Sequence, residues 1–447
     1  MGQLILIATQ NLLQHKRRNL LLGIAIALVT AMLITLLGLS AGIETTMLRS
    51  ATTLSSGHIN VAGFYKVTSG SAAPLVTGHK ELERLVRENT PHLDYTISRM
   101  RGWGKVISDT TSFQAGINGV DIDTERGLKN VLRLAPQKDY KPGGTEEIRG
   151  NLDNLREPNT VMLFVEQAKR LEVDVGDQLT ISAPTPRGVS NTLSVSVVAI
   201  AKDVGFMSGW GIFVPNQTVR DIYQLTEDTT GAIMVYLDDI AKLEEVENHL
   251  RQLVAKAGHR LMEKDSNPFW MKFERVGNED WIGQKIDITN WEDEISFMSW
   301  TIQSFDALTG ILVMILMILV AVGIMNTLWI AIRERTREIG TMRAIGAQKG
   351  MISKMFLLEA AVLGFASTAI GALAAVLIAY SINTSGVVIP SEAFQLFTMS
   401  ETLHVLVRPQ TVVFSVGLLT MFTTLSALYP AYRAAKLKPI TAIHHVG

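Results

Sequence analysis

Four long apolar stretches divide this chain, at Leu20–Ile43, Leu308–Ile332, Phe356–Ile382 and Thr411–Tyr429. A bilayer core about 30 Å thick is crossed by about 20 apolar residues in a helix. Each stretch is that long, and Glu359 is the one charge among them. The pattern predicts a membrane protein with four transmembrane helices, one before and three after a large α+β extracytoplasmic domain inserted between helices 1 and 2. The expected layout is an amphipathic cytoplasmic helix over 1–18, spans at 19–43, 306–332, 355–382 and 411–430, and the domain at 44–305. A cytoplasmic segment at 333–354, an extracytoplasmic loop at 383–410 and a cytoplasmic tail at 431–447 complete it.

Within 44–305 the pattern alternates between strand and helix periods. Residues 56–62 read as a strand, and Leu82, Leu85 and Val86 mark one face of a charged helix over 80–89. Residues 99–107 and 112–120 read as paired strands, and 161–171 as a helix with Val165, Ala168 and Leu171 inward. Strands at 178–183 and 193–199 flank a turn holding Pro184, Pro186 and Gly188. Residues 213–223, 232–237 and 240–257 repeat the theme. Two lobes are expected, with a β-rich one over about 158–225, then a loop or hairpin over 267–287. A stalk helix over 291–305 is expected to run without a break into the second span.

Charge sets the orientation. Lys16, Arg17 and Arg18 precede the first span; Arg333, Arg335, Arg337, Arg343, Lys349 and Lys354 lie between the second and third; Arg433, Lys436 and Lys438 follow the fourth. The loop between spans three and four has Glu392 and Glu401 against Arg408 alone. By the positive-inside rule both termini are cytoplasmic and the large domain is outside. In residues 44–305 acidic side chains outnumber basic ones 36 to 28, an excess too mild to name a partner. The basic start followed by a long apolar run reads as an uncleaved signal anchor, since no close small-residue cleavage site follows, Ala41-Gly42 being the nearest. Leu4, Ile5, Ala8, Leu12 and Leu13 make the preceding helix amphipathic, suited to the membrane interface. With no cysteine in the chain, the domain is held by its core alone.

Motifs for chemistry are missing. No phosphate-binding G-x-x-x-x-G-K-[ST] occurs, no H-E-x-x-H, no Gly-x-Ser-x-Gly, and His444-His445 reads as a solvated tail. The spans lack the series of ionisable residues that a proton-driven pump needs. Glu359, a turn inside the third span, reads either as a satisfied interfacial carboxylate, paired with Lys354 or a neighbouring helix, or as a transport group. No metal, cofactor, catalytic residue or nucleic-acid partner is expected of this chain.

The segment from Ile332 to Ala347 carries the most information. Arg333, Arg335, Arg337 and Arg343 alternate with Glu334 and Glu338, glycines at Gly340 and Gly346 break it, and Ile339, Met342 and Ile345 fall at helical spacing. It reads as a short helix across the membrane surface whose apolar stripe docks on another protein, or as a basic anchor on anionic headgroups.

This segment resembles the signature of the FtsX-like permeases, the membrane subunits of MacB-type (type VII) ABC transporters. Glu334-Arg335, Glu338-Ile339-Gly340, Ala344 and Gly346-Ala347 match one motif, and Phe356-Leu357-Leu358-Glu359-Ala360 with Leu363-Gly364 match a second. Pro430-Ala431, Arg433-Ala434-Ala435, Pro439 and Ala442-Ile443 match the family's end, and 166–177 is similar to its periplasmic core signature. The resemblance implies an inner-membrane, multi-pass permease that transmits motion from a separate ABC ATPase dimer, which holds ATP and Mg, to the extracytoplasmic domain. Glu334, Arg335, Glu338, Ile339, Gly340, Arg343, Gly346 and Ala347 then form the ATPase-coupling site. A second permease, identical or paralogous, is implied, and so is a periplasmic carrier or adaptor.

In layout the chain is similar to the lipoprotein-releasing permeases of the LolC/LolE kind, through Gly57-His58-Ile59, Gly119-Val120-Asp121 and the run Asp287 to Trp291. That branch implies extraction of lipoproteins from the inner membrane; periplasmic efflux of drugs, peptides or lipids, or activation of envelope hydrolases, is the alternative. An amphiphilic cargo needs apolar residues where spans meet the domain. Leu39, Ile43, Met47, Phe297, Met298, Trp300, Ile302 and Phe305 are the candidates, with stalk packing as their other reading. Gly23, Ala27 and Ala31 in span one and Gly364, Thr368 and Gly371 in span three offer small faces for a dimer seam or for packing within one bundle.

Overall fold

The computed structural model describes residues 16–437 except 69, 390, 392–393, 396–397 and 399, together with 10 and 14, and gives backbone alone for 18, 206 and 298–302. Most of the expected amphipathic helix over 1–18, with Leu4, Ile5, Ala8, Leu12 and Leu13, and the end of the tail lie outside the described residues. The chain forms two compact units, one of Met1–Glu44, Ile302–Val388 and Thr402–Gly447, the other of Thr45–Thr301 with Ile389–Glu401.

In the first unit the apolar stretches are helices. Among the described residues four are long and apolar enough to cross a membrane: Asn19–Ser56, Gln303–Glu334, Lys349–Ser385 and Pro409–Ala435. Their inward sides bury Ile26, Ile324, Leu328 and Phe356 in one layer and Leu33, Ile34, Ala375 and Leu419 in another. Leu28, Leu373 and Val413 stay exposed on the outward sides, as expected of helices apolar all round that a bilayer covers. The small faces of spans one and three are used within this bundle. A Cβ on Gly371 would stand 2.3 Å from the carbonyl oxygen of Ala27, and one on Gly23 3.0 Å from Ser367 Oγ.

In the second unit a four-stranded sheet has the order Gly283–Asn290, Ile59–Lys66, Ala232–Leu237, Leu93–Arg99, all neighbours antiparallel. Helices His79–Asn89 and Leu243–Lys256 place Leu82, Val86, Val246, Leu250 and Val254 in one core with Ile59, Val61, Ile233, Val235 and Ile288 from the sheet. Met100 alone separates the edge strand Leu93–Arg99 from Arg101–Ile107, the first strand of a closed six-stranded barrel. The barrel continues through Ser112–Val120, Gly211–Pro215, Thr160–Phe164, Ser190–Ala201 and Gln178–Pro184, and its interior is filled by Val106, Ile117, Leu163, Ile181, Val195 and Val214.

Five expectations change. Two of the barrel's strands, Arg101–Ile107 and Ser112–Val120, lie outside the β-rich lobe expected over about 158–225. The helix expected over 161–171 is a strand, Thr160–Phe164, followed by a helix, Val165–Leu171. Every residue of that strand is buried, so its apolar run serves both faces and carries no period of 2. The loop expected over 267–287 ends in the strand Gly283–Asn290, whose Ile286 and Ile288 alternate with Lys285, Asp287 and Thr289. The stalk is not continuous: a turn at Trp291–Glu294 and a 3₁₀ turn at Ser296–Met298 precede the helix Ser299–Glu334. Span one, by contrast, continues past 43 as one helix to Ala51, then winds into a π-helical turn, Thr52–Ser56. Gly57 ends it at φ 66° and ψ −171°, a conformation open to glycine alone, with Met234 Cβ 2.9 Å from where a side chain would begin.

Candidate functional site

The segment after span two folds as expected into a short helix, Thr336–Ala344. It runs through Gly340 without a break; the stop is Gly346, at φ 102°. There the amides of Ile345, Gly346 and Ala347 donate to the carbonyls of Thr341, Arg343 and Met342, closing the helix end in the manner of a glycine C-cap. Arg343, half-buried, turns back so that its Nη1 donates to the Ala347 carbonyl at 2.9 Å.

The expected coupling residues divide into two sets. Ile339 and Gly340 are buried, and Ile339 joins Ile332, Phe356, Ala431 and Ala434 in the bundle core, with Met342 against it. Arg335 is buried too: its Nη1 donates to Glu359 Oε1 at 3.0 Å, and the two side chains are 6% and 9% exposed. Glu359 is therefore the satisfied carboxylate of the two readings, and its partner is the coupling motif's own arginine rather than Lys354. Glu334, Glu338 and Gly346 are exposed and Ala347 half-buried. Ile345 is 82% exposed; of the expected apolar stripe it alone faces outward. Ile345 thus stands beside a glycine-closed helix end, on a helix whose preceding residue is held by a buried ion pair.

The expected cargo-contact residues with described side chains differ in exposure. Ile43 and Met47 are buried, Met47 at 1% exposure, which favours their reading as packing residues. Leu39, Phe297 and Phe305 are half-buried, and Phe297 meets Trp270 edge-on at 5.7 Å. The side chains of Met298, Trp300 and Ile302 lie outside the described residues.

Sequence reasoning missed a polar cluster where the span-one helix ends. A helix leaves its last carbonyls without intrahelical donors, and its C-terminal end favours cations. Here the carbonyls of the π turn are met one by one. Tyr236 OH donates to Thr52 at 2.9 Å, Arg99 to Thr53 at 2.7 Å and Leu54 at 2.9 Å, and Arg101 to Ser55 at 3.0 Å. Arg99 also forms a bidentate pair with Glu125, at 2.6 and 2.7 Å. Burial opposes the charge on Arg99, but Glu125 holds its pKa above the ordinary arginine value. For Arg101 burial prevails and lowers the pKa; for Glu294 nearby it raises the carboxyl. The alternation Arg99-Met100-Arg101, two arginines either side of a methionine where one strand gives way to the next, is the one trace of this cluster in the sequence.

Comparison with known proteins bears on both units. The profile of the MacB-like periplasmic core domain matches residues 20–253, and that of the FtsX-like permease C-terminal region matches 310–439. The macrolide export ATP-binding/permease protein MacB of Agrobacterium fabrum is 24% identical over 442 residues, 96% of this chain and 58% of that protein. The lipoprotein-releasing system transmembrane protein LolC of Haemophilus influenzae is 25% identical over 236 residues, 51% of this chain and 53% of that one. The ABC transporter permease YtrF of Bacillus subtilis is 24% identical, over 57% of this chain and 52% of YtrF. The chain thus spans between 52% and 58% of the length of these relatives. Among solved structures, the periplasmic region of MacB from Actinobacillus actinomycetemcomitans aligns with 55% of this chain and 94% of its own, at 15% identity and a TM-score of 0.31. With one profile on span one and most of the domain that follows it, and the other on the last three spans, the chain belongs to the FtsX-like, MacB-type (type VII) ABC transporter permeases.

Proposed function

We propose that this permease couples ATP hydrolysis on a separate ABC ATPase dimer to movement of its periplasmic domain, and that it extracts lipoproteins from the inner membrane for delivery to the outer membrane. The observation that carries the coupling is the short helix Thr336–Ala344, held on the bundle by Arg335–Glu359 and presenting Ile345 at its end. No G-x-x-x-x-G-K-[ST] sequence occurs in the 447 residues, so in this reading ATP and Mg sit on the partner. Both termini and this helix face the cytoplasm, where the basic residues lie. The complex includes a second permease, identical or paralogous, and hands its cargo to a periplasmic carrier or adaptor.

Lipoprotein release rests on the likeness to LolC and on the layout of one span, a large domain and three spans. Export from the periplasm is the second reading, favoured by the likeness to MacB proteins across nearly the whole chain. Purification of the chain with its ATPase, followed by mass spectrometry of what accompanies it, separates the two. Acylated proteins released on ATP turnover support extraction. Their absence, with ATP-dependent loss of a small amphiphile from proteoliposomes, supports export. Failure to capture any ATPase rejects the coupling itself.

A further inference from the structure

The approach to span two meets the end of the span-one helix at a buried polar network. The turn Trp291–Glu294 is set by a reciprocal cap: Asp293 N donates to Asn290 Oδ1 at 3.0 Å, and Asn290 N to Asp293 Oδ2 at 3.1 Å. This turn packs against the π turn Thr52–Ser56, and Trp291 N donates to the His58 carbonyl at 3.1 Å. Between the two turns stands the amide of Asn60. Its Oδ1 accepts from Arg101 Nη2 at 3.1 Å, and its Nδ2 donates to Glu294 Oε1 at 3.3 Å. Arg101 Nη2 also holds the Ser55 carbonyl, and Glu294 Oε1 also accepts from Thr289 Oγ1 at 2.8 Å.

All three side chains are at most 3% exposed, yet one atom of each charged group is idle. Arg101 Nη1 and Glu294 Oε2 are buried without a hydrogen-bond partner. Leaving buried donors and acceptors unmade is destabilising, and native structures do it rarely. The remaining contacts of Arg101 are the Ser55 carbonyl and the Phe269 ring, 4.3 Å from its guanidinium. What the network does achieve is geometric: one amide ties the group that grips the end of helix one to the group that begins the approach to span two.

We propose that Arg101, Asn60 and Glu294 form a joint that makes the end of the span-one helix and the approach to span two move as one body, with Arg101 as the positioning residue. The joint deepens the proposed mechanical coupling and takes its purpose from that reading. The chain has no cysteine, so paired spin labels can be introduced directly into the full-length protein in nanodiscs. One pair, at the exposed positions Thr45 and Glu292, reports on the joint. A control pair at the exposed Glu88 and Asp238 reports on the sheet lobe alone.

Arg101 and Glu294 are linked through the Asn60 amide, and replacing a buried charged cluster as a whole by apolar groups of similar size is often neutral for stability. The variant Arg101→Met with Asn60→Leu and Glu294→Leu is therefore expected to leave the control distance distribution unchanged and to widen the Thr45–Glu292 distribution about twofold. Glu294→Gln keeps size and the contact with Thr289, and is expected to widen it by a smaller factor. Wild-type width at the first pair, in either variant, overturns the proposal. So does widening of both pairs, because the network then serves the fold as a whole. No ATPase or cargo enters the measurement, so its failure leaves the transport reading standing, and failure to capture an ATPase leaves the joint standing.

Discussion

Arg335 Nη1 lies 3.0 Å from Glu359 Oε1, joining the residue that precedes the helix Thr336–Ala344 to the third span through side chains more than nine-tenths buried. Thr336 Oγ1 donates to the Ile332 carbonyl one residue further on, so the turn out of span two is held on both sides. Breaking a buried pair by removing one partner strands a charge and costs about 3–5 kcal/mol, whereas replacing both with apolar groups is often neutral. Arg335→Met is expected to lower the thermal midpoint of the full chain in detergent sharply. Arg335→Met with Glu359→Met is expected to recover most of that loss. If the double variant melts as low as the single one, the pair does not act as a unit.

Ile339 within the helix Thr336–Ala344 and Ile345 just past its end differ sharply in burial. Ile339 is fully buried and Ile345 is 82% exposed. Ile339→Ala removes core volume and is expected to destabilise by about 2–4 kcal/mol, with ATPase capture failing as the bundle loosens. Ile345→Ala is expected to leave stability within about 0.5 kcal/mol of wild type while weakening capture about tenfold or more, the loss expected for an apolar side chain that a partner buries. Co-purification of the ATPase at several salt concentrations, beside thermal melts, decides the matter. Undiminished capture by the Ile345 variant places the docking surface elsewhere.

How much of this was legible follows from the range of each signal. The spans, the helix at 336–344 and most strands were readable because period and length are local properties. The strand Thr160–Phe164 was misread because burial on both faces erases the period-2 pattern. The strand Gly283–Asn290 did alternate, in Lys285 to Thr289, but a polar, tryptophan-bearing stretch before it suggested a loop. Contacts between distant residues left no such trace. Nothing around Arg335 in sequence marks Glu359, and Ser55, Asn60, Arg101 and Glu294 come together only when a sheet, a barrel strand and two helix ends are assembled. The motif from Glu334 to Ala347 is legible through its resemblance to a family signature; its division into buried and exposed residues required the fold.

Close approach of spans one and three gives the next test. A Cβ on Gly371 would stand 2.3 Å from the Ala27 carbonyl and 2.7 Å from Thr30 Cβ, and backbone cannot yield as a flexible side chain can. Gly371→Ala is expected to push the two helices apart at a cost of about 1–3 kcal/mol. The oligomer size is expected to stay as in wild type, because this face packs inside the bundle. Size-exclusion chromatography with light scattering checks the second point. Conversion to a smaller species, with the melting midpoint unchanged, assigns the face to a seam between permeases instead.

Asp174 should make the periplasmic domain acid-sensitive. Its carboxylate accepts from Gln137 Nε2 at 2.7 Å, Lys141 Nζ at 2.8 Å, Tyr140 OH at 3.1 Å and the Val175 amide at 2.8 Å. These bonds pin the excursion between the second and third barrel strands, in chain order, against the helix-and-turn signature at 166–177. Burial alone would raise the Asp174 pKa, but the donors from Lys141, Gln137, Val175 and Tyr140 outweigh it and bring it from 3.8 to about 2. A group with a depressed folded pKa stabilises fully above its unfolded value and loses that contribution as pH falls through the folded one. The contribution is thus present at neutral pH, begins to fade below about pH 4 and is gone below about pH 2. Nearly two pKa units correspond to about 2 kcal/mol, and the side chain is only 9% exposed, so solvent screening takes little from it. Asp174→Asn is expected to lower stability at pH 7 by about that amount and to flatten the slope between pH 4 and pH 2. Thermal melts of the full chain across that range provide the measurement. A variant that keeps the wild-type slope shows that another carboxylate carries the acid sensitivity.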